Sequence, residues 1–179
     1  MIEKKVTRTL EDFEADISVN LPLGLKPPSI LLGEDDYQSI TDIYTRIAKY
    51  RAPGWYSQVE ITEVQSDVIL LQSSLLELLR KHGVLISYAD TVEEQLKIVR
   101  SKIIVQGKNL KKKYEDNGDV VKVTLTDIKE LSIVKTEDIW KELAEHQNAA
   151  SFVKFIYFAV KDMVSYLDKS VQRMHMRGE

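Results

Sequence analysis

The residues with a clear chemical direction lie in one tract. Between residues 95 and 114 the chain carries Lys97, Arg100, Lys102, Lys108, Lys111, Lys112 and Lys113, with no Asp or Glu among them. On a helix advancing about 100° per residue, Arg100, Lys108, Lys111 and Lys112 fall within roughly 60° either side of Lys97. Lys102 and Lys113 lie off to one flank, while Leu96, Val99, Ile103 and Leu110 face the opposite way. A cationic ridge ending beside Tyr114 suits neutralisation of a phosphate backbone, with an aromatic ring to stack on a base. Two other readings stay open, a solvated coiled-coil face and a dock for an acidic protein. Solvated helix faces usually intersperse acids for i,i+4 pairing, and this tract has none.

Elsewhere the chemistry thins out. Three histidines occur, His82, His146 and His175. The first two fall at core positions of a heptad pattern, where a polar residue more simply sets register than binds metal. Cysteine is absent, so neither disulfides nor thiolate metal sites can form. Neither a zinc-binding H-E-x-x-H, a serine-nucleophile elbow nor a glycine-rich phosphate loop is present. The reading is therefore of a protein with no catalytic residues, no metal, no cofactor and no small-molecule substrate. A helix-turn-helix across residues 124–145 is also rejected. Its recognition helix would present Glu137, Asp138, Glu142 and Glu145 to phosphate against a lone Lys141.

What must position the ridge is a pair of long helices. Val64, Val68, Leu71, Leu75, Leu78, His82, Leu85, Ala89, Val92, Leu96, Val99, Ile103, Gln106 and Leu110 alternate steps of four and three, the mark of a coiled-coil seam. One helix over residues 57–115 is expected. Gly83 lies inside it at a cost of about 1 kcal/mol relative to Ala, and a break near residues 83–90 is the alternative. The same alternation returns in Ile139, Leu143, His146, Ala150, Val153, Tyr157, Val160, Val164, Leu167, Val171 and Met174. This marks a second long helix over residues 136–176, capped by Thr136. All four prolines lie at or before Pro53, so nothing interrupts either helix with a missing backbone donor.

Between the long helices, Asp116-Asn117-Gly118-Asp119 is a turn signature. Residues 120–123 read as briefly extended, and Thr124 or Thr126 caps a short helix over residues 124–131. Upstream, a helix over residues 36–50 follows Glu34-Asp35-Asp36, whose charges suit a helix start. Residues 1–35 read as an arm, with a short helix after Thr9 through Phe13 and Ile17, then an extended path imposed by Pro22, Pro27 and Pro28. The fold class expected is all-α: a long antiparallel helical hairpin or coiled coil, with a short N-terminal helix and an extended arm. The helical domain would comprise residues 36–179.

The apolar surface of the last helix is wider than one seam. Around Phe152, Phe155, Ile156, Phe158 and Met163 it exceeds what a two-helix contact buries. Packing of the N-terminal helix would cover it, and so would homo-oligomerisation. For the second, the expected contact residues are Val153, Phe155, Tyr157, Val160, Val164, Leu167 and Val171. The charged N-terminus and an apolar maximum of about 12 residues suggest neither signal peptide nor membrane span, so a cytoplasmic setting is expected.

The order of features resembles that of the UvsY-type recombination mediators of bacteriophages. The likeness rests on Lys108 through Lys111-Lys112-Lys113-Tyr114, then Asn117-Gly118, the Lys122-Val123-Thr124 step and the final helix through Leu167 and Arg173. It covers roughly residues 36–177 as pattern, without a diagnostic motif, and residues 1–35 have no counterpart in it. The resemblance implies an oligomeric protein of DNA recombination and repair in the host cytoplasm. Such a protein binds single-stranded DNA, displaces the single-strand-binding protein and loads a RecA-like recombinase. Lys111, Lys112 and Lys113 would stand at its DNA-contacting positions. The competing class is a non-enzymatic phage structural or assembly scaffold acting through its coiled coil.

Overall fold

The structure, a computed structural model, describes residues 6–18 and 32–177. Its elements in chain order are β1 (Thr7–Arg8), α1 (Leu10–Asp16), α2 (Glu34–Lys49), a 3-10 turn (Trp55–Ser57), α3 (Ile61–Asp116), β2 (Val120–Val121), α4 (Leu125–Val134) and α5 (Glu137–Arg177). The fold is all-α, a hairpin of two long helices, as the heptads predict. α3 passes through Gly83 without a break. The expected extended path at Pro22, Pro27 and Pro28 lies outside the described residues.

Local chemistry accounts for the helix ends. Asn117 and Gly118 follow α3, and Gly118 adopts φ 80°, a left-handed conformation open to glycine without a Cβ penalty. Asp119 N then donates back to Tyr114 O at 3.0 Å. Thr124 starts α4 with a reciprocal capping box, Thr124 N to Asp127 Oδ2 at 2.7 Å and Asp127 N to Thr124 Oγ1 at 3.2 Å. The bond from Thr124 N, and after it the Thr124 hydroxyl, hold the Asp127 carboxyl below its ordinary value, because donors to the carboxylate favour its charged form.

The chain forms two compact units, one joining the N-terminal stretch to residues 89–144, the other joining residues 32–88 to residues 145–177. In the first, Phe13 of α1 and Ile17 just after it pack with Ala89, Val92, Leu96, Val99 and Ile103 of α3 and with Ile128, Leu131, Ile139 and Leu143. The N-terminal stretch is thus not an arm set apart. Its β1 pairs in parallel with β2, Thr7 opposite Val120 and Arg8 opposite Val121. Lys135 Nζ donates to the carbonyls of Glu14 at 2.7 Å and Ile17 at 3.0 Å, satisfying acceptors that the end of α1 leaves open.

The second unit is a three-helix arrangement. Ile40, Ile43 and Ile47 of α2 share a core with Val64, Leu71, Leu78 and Leu85 of α3 and with Val153, Ile156, Val160, Met163 and Leu167 of α5. Trp55 clamps the connecting turn, stacked edge-on against Tyr50 at 5.0 Å, its Nε1 donating to the Tyr166 hydroxyl at 3.1 Å. Beneath it Asp67, nearly buried, accepts from the Tyr50 hydroxyl at 2.6 Å and from Arg46 at 2.8 Å. A carboxylate withdrawn from water requires such partners. His146 is buried and stacks on Tyr88, ring centroids 6.1 Å apart.

This unit answers the question of the wide apolar face. α2 packs over part of it: Ile156 and Met163 are buried, whereas Phe152 and Phe158 stay exposed at 40% and 47%. Val153, Val160, Val164 and Leu167 are interior to a single chain, and Tyr157 and Val171 are packed against that interior. Their assignment to an oligomer contact is corrected accordingly. Phe155 alone of the seven stays in solvent, at 62% exposure.

Candidate nucleic-acid interface

The basic tract lies on the second half of α3, whose inward face docks α1, α4 and the start of α5. As far as Ile103 the buried positions follow the heptad. There the seam departs from it: Gln106 is exposed and Gly107 is buried instead. A Cβ at position 107 would lie 2.6 Å from Ile128 Cγ2, so glycine is what admits Ile128 this close. The step from Ile103 through Gly107 and Leu110 to Tyr114 follows a straight helix of 3.6 residues per turn rather than a 3.5 repeat.

That shift decides the fate of the ridge. Arg100 lies at the edge of the buried seam, and its Nε donates to the Thr136 hydroxyl at 2.9 Å. Thr136, fully buried, donates in turn to the Ser132 carbonyl at 2.8 Å. Lys111 also turns inward, its Nζ donating to the Val123 carbonyl at 2.8 Å with Glu115 at 3.9 Å. Both cations thus tie α3 to the segment that follows it.

Tyr114 is corrected most sharply. Predicted as a stacking platform, it is 5% exposed. Phe13 meets it edge-on at 5.5 Å, and the Arg8 guanidinium lies 4.4 Å from the ring centroid. Its hydroxyl donates to the Asp16 carboxylate. That hydrogen bond, then burial, pushes the phenol up to about 12. Arg8 is itself held by Asp119 at 2.8 Å. No surface of the ring is left for a base.

The remaining cations face solvent. Lys97 is exposed and paired with Glu93 at 2.5 Å, an i,i+4 contact that solvent screens and that is easily exchanged. Lys102, Lys108, Lys112 and Lys113 are exposed with no carboxylate partner among the described residues. Lys102, placed on the flank of the wheel, thereby joins the free set, and Arg100 and Lys111 leave it. Lys122 is a further exposed cation just beyond β2 that the helical wheel could not include. Acids bound the free set on α3, Glu93 and Glu94 before it and Glu115 and Asp116 after.

Among the described residues no group of three or more His, Asp or Glu is placed to hold a metal ion, and no helix is long and apolar enough to cross a membrane. No protein-family model, curated protein or solved structure matches the chain.

Proposed function

We propose that this is a non-catalytic helical-hairpin protein whose exposed α3 lysines bind the phosphate backbone of single-stranded nucleic acid, in the manner of a recombination mediator. The observation that carries the reading is the unpaired set Lys102, Lys108, Lys112 and Lys113 on an acid-free stretch of rigid helix. Four like charges on so few turns repel one another, and a polyanion relieves that repulsion while releasing its own counterions. With Tyr114 buried, the contact is electrostatic and insensitive to sequence. Delivery of the strand to a RecA-like recombinase and displacement of a single-strand-binding protein belong to the same reading through the UvsY-type resemblance.

A titration of a labelled single-stranded oligonucleotide by fluorescence anisotropy tests it. Four phosphate contacts predict a log–log salt slope of roughly −3 per chain for a single strand. The Lys108→Glu, Lys112→Glu, Lys113→Glu variant should lose binding while keeping its helix content and mass in solution. Absence of binding by the wild-type chain at low salt overturns the reading.

A second reading, an assembly scaffold, is favoured by a different observation. Large apolar side chains stand in solvent on both long helices, among them Ile69, Leu76 and Leu79 on α3 and Phe155 and Phe158 on α5. If Leu76→Glu with Leu79→Glu broke up oligomers while the wild-type chain bound no oligonucleotide at low salt, the scaffold would be the better account.

A further inference from the structure

The first half of α3 carries two heptad stripes, and the hairpin uses one. Val64, Val68, Leu71, Leu75, Leu78 and Leu85 face the intrachain core. About 100° around the same helix runs a second series, Ile69, Gln72, Leu76, Leu79, Gly83 and Ile86, again in steps of three and four. All six face solvent. The four large members are 63%, 74%, 52% and 40% exposed, in the order Ile69, Leu76, Leu79 and Ile86. A 3-4 spacing of Leu and Ile is what a helix presents to a partner helix, and nothing among the described residues occupies it.

The stripe reads alike in both directions. Reversal about the point between Glu77 and Leu78 places Ile69 opposite Ile86, Gln72 opposite Gly83 and Leu76 opposite Leu79. The next pairs outward are Gln65 with Asp90 and Thr62 with Glu93, so the apolar run ends in polar residues at both sides. In an antiparallel coiled coil, layers form between non-equivalent core positions, and these pairings are of that kind throughout. Such two-fold self-complementarity is the signature of an isologous contact. Gly83 fits the same geometry. Nothing lies within 4 Å of a Cβ built there, so the monomer has no packing reason for a glycine. Across a dyad, Gly83 leaves room for the longer Gln72 of the opposing helix.

We infer that the occupant of this stripe is a second copy of the chain, docked antiparallel about a two-fold axis between Glu77 and Leu78. The contact is independent of the nucleic-acid reading and uses none of its lysines. Its apolar length from Ile69 to Ile86 is roughly 25 Å at 1.5 Å per residue, short enough for a reversible dimer rather than an obligate one.

The test uses the full chain, whose lack of cysteine makes introduced thiols unambiguous. Ile69→Cys and Ile86→Cys variants, differing in mass through a tag, are mixed equally and oxidised mildly. The antiparallel contact expects the mixed 69–86 disulfide to exceed the half that random pairing supplies. Predominant 69–69 and 86–86 products, or random pairing, overturn it. Sedimentation equilibrium of the wild type should show monomer passing to dimer with concentration. Leu76→Glu with Leu79→Glu should weaken that dimer by roughly tenfold or more, because the charges would be buried unpaired. Gly83→Glu separates loss of contact from loss of fold, since Glu is the better helix former. It should raise the melting temperature of dilute protein and still weaken the dimer. A wild type that stays monomeric at every concentration, or a dimer indifferent to these changes, overturns the inference.

Discussion

The hydroxyl of Tyr114 donates a hydrogen bond to the carboxylate of Asp16, fastening α1 to the last turns of α3 across 98 residues of sequence. Phe13 against one edge of the ring and Arg8 over its face complete the anchor. A residue at the end of a lysine run thus serves as the fixed point of the N-terminal segment.

Loss of this anchor should be measurable in two ways. Tyr114→Phe keeps the ring packing and removes one hydrogen bond to a solvent-accessible carboxylate, a loss of about 1 kcal/mol. The pH dependence supplies the second. The folded phenol is pushed up to about 12, whereas an unfolded one titrates near about 10. Its contribution is therefore complete below the lower value and disappears as pH rises through the upper one. Melting temperatures between these limits should fall more steeply for wild type than for Tyr114→Phe. Tyr50, raised by burial and by Asp67, adds the same alkaline loss to both proteins.

Two glycines on α3 should respond oppositely to alanine. At Gly83 the new methyl meets open space, so Gly83→Ala should stabilise the monomer by about 1 kcal/mol through helix propensity. At Gly107 it meets Ile128 Cγ2 at 2.6 Å. Overpacking of this kind costs about 1–3 kcal/mol, enough to exceed the propensity gain. Urea denaturation of Gly107→Ala should show lower stability, and Ile128→Ala, which removes the clashing γ carbons, should cost less in that chain than in the wild type.

Asp67 holds α2 to α3 through charge. Asp67→Asn leaves Arg46 without its counter-ion and weakens the acceptor for the Tyr50 hydroxyl. Arg46 is about half exposed and can rehydrate, so the expected loss is about 1–3 kcal/mol rather than that of a fully buried pair. Amide exchange should place the added opening in α2.

The cations of α3 should divide into two functional kinds. Arg100→Ala removes the donor to the Thr136 hydroxyl and should lower stability by about 1–2 kcal/mol with little change in oligonucleotide affinity. Lys111→Ala should behave likewise through the lost contact with the Val123 carbonyl. Lys112→Ala should leave stability within about 0.5 kcal/mol and lower the salt slope by roughly 0.7. Equal loss of affinity from all three would contradict the geometry.

How much of the fold was legible follows from what the heptad records. α3 and α5 were readable because apolar residues repeating in steps of three and four over many turns are the imprint of helices packed along their length, and the start of α4 was narrowed to Thr124 or Thr126, of which Thr124 is the cap. Beyond Ile103 the seam changes period, and a spacing rule carried forward selects Gln106 where the fold selects Gly107. Arg100 and Lys111 lie at the edges of the buried face, where a wheel cannot say whether a long side chain turns in or out. The burial of Tyr114 depends on Phe13 and Arg8, residues distant in sequence whose docking no local pattern encodes. Breadth of the apolar face on α5 was visible, but which part of it α2 would bury was a tertiary question.

The division of the chain carries a consequence for its synthesis. Each compact unit is assembled from separate stretches, and the first is closed by residue 144 whereas the second requires residues 145 onward. Emerging from a ribosome, α2 and the first half of α3 precede the partner helix that completes their core, and the unit that joins α1 to residues 89–144 is fully synthesised before it. During that interval the two apolar stripes of α3 are bare together.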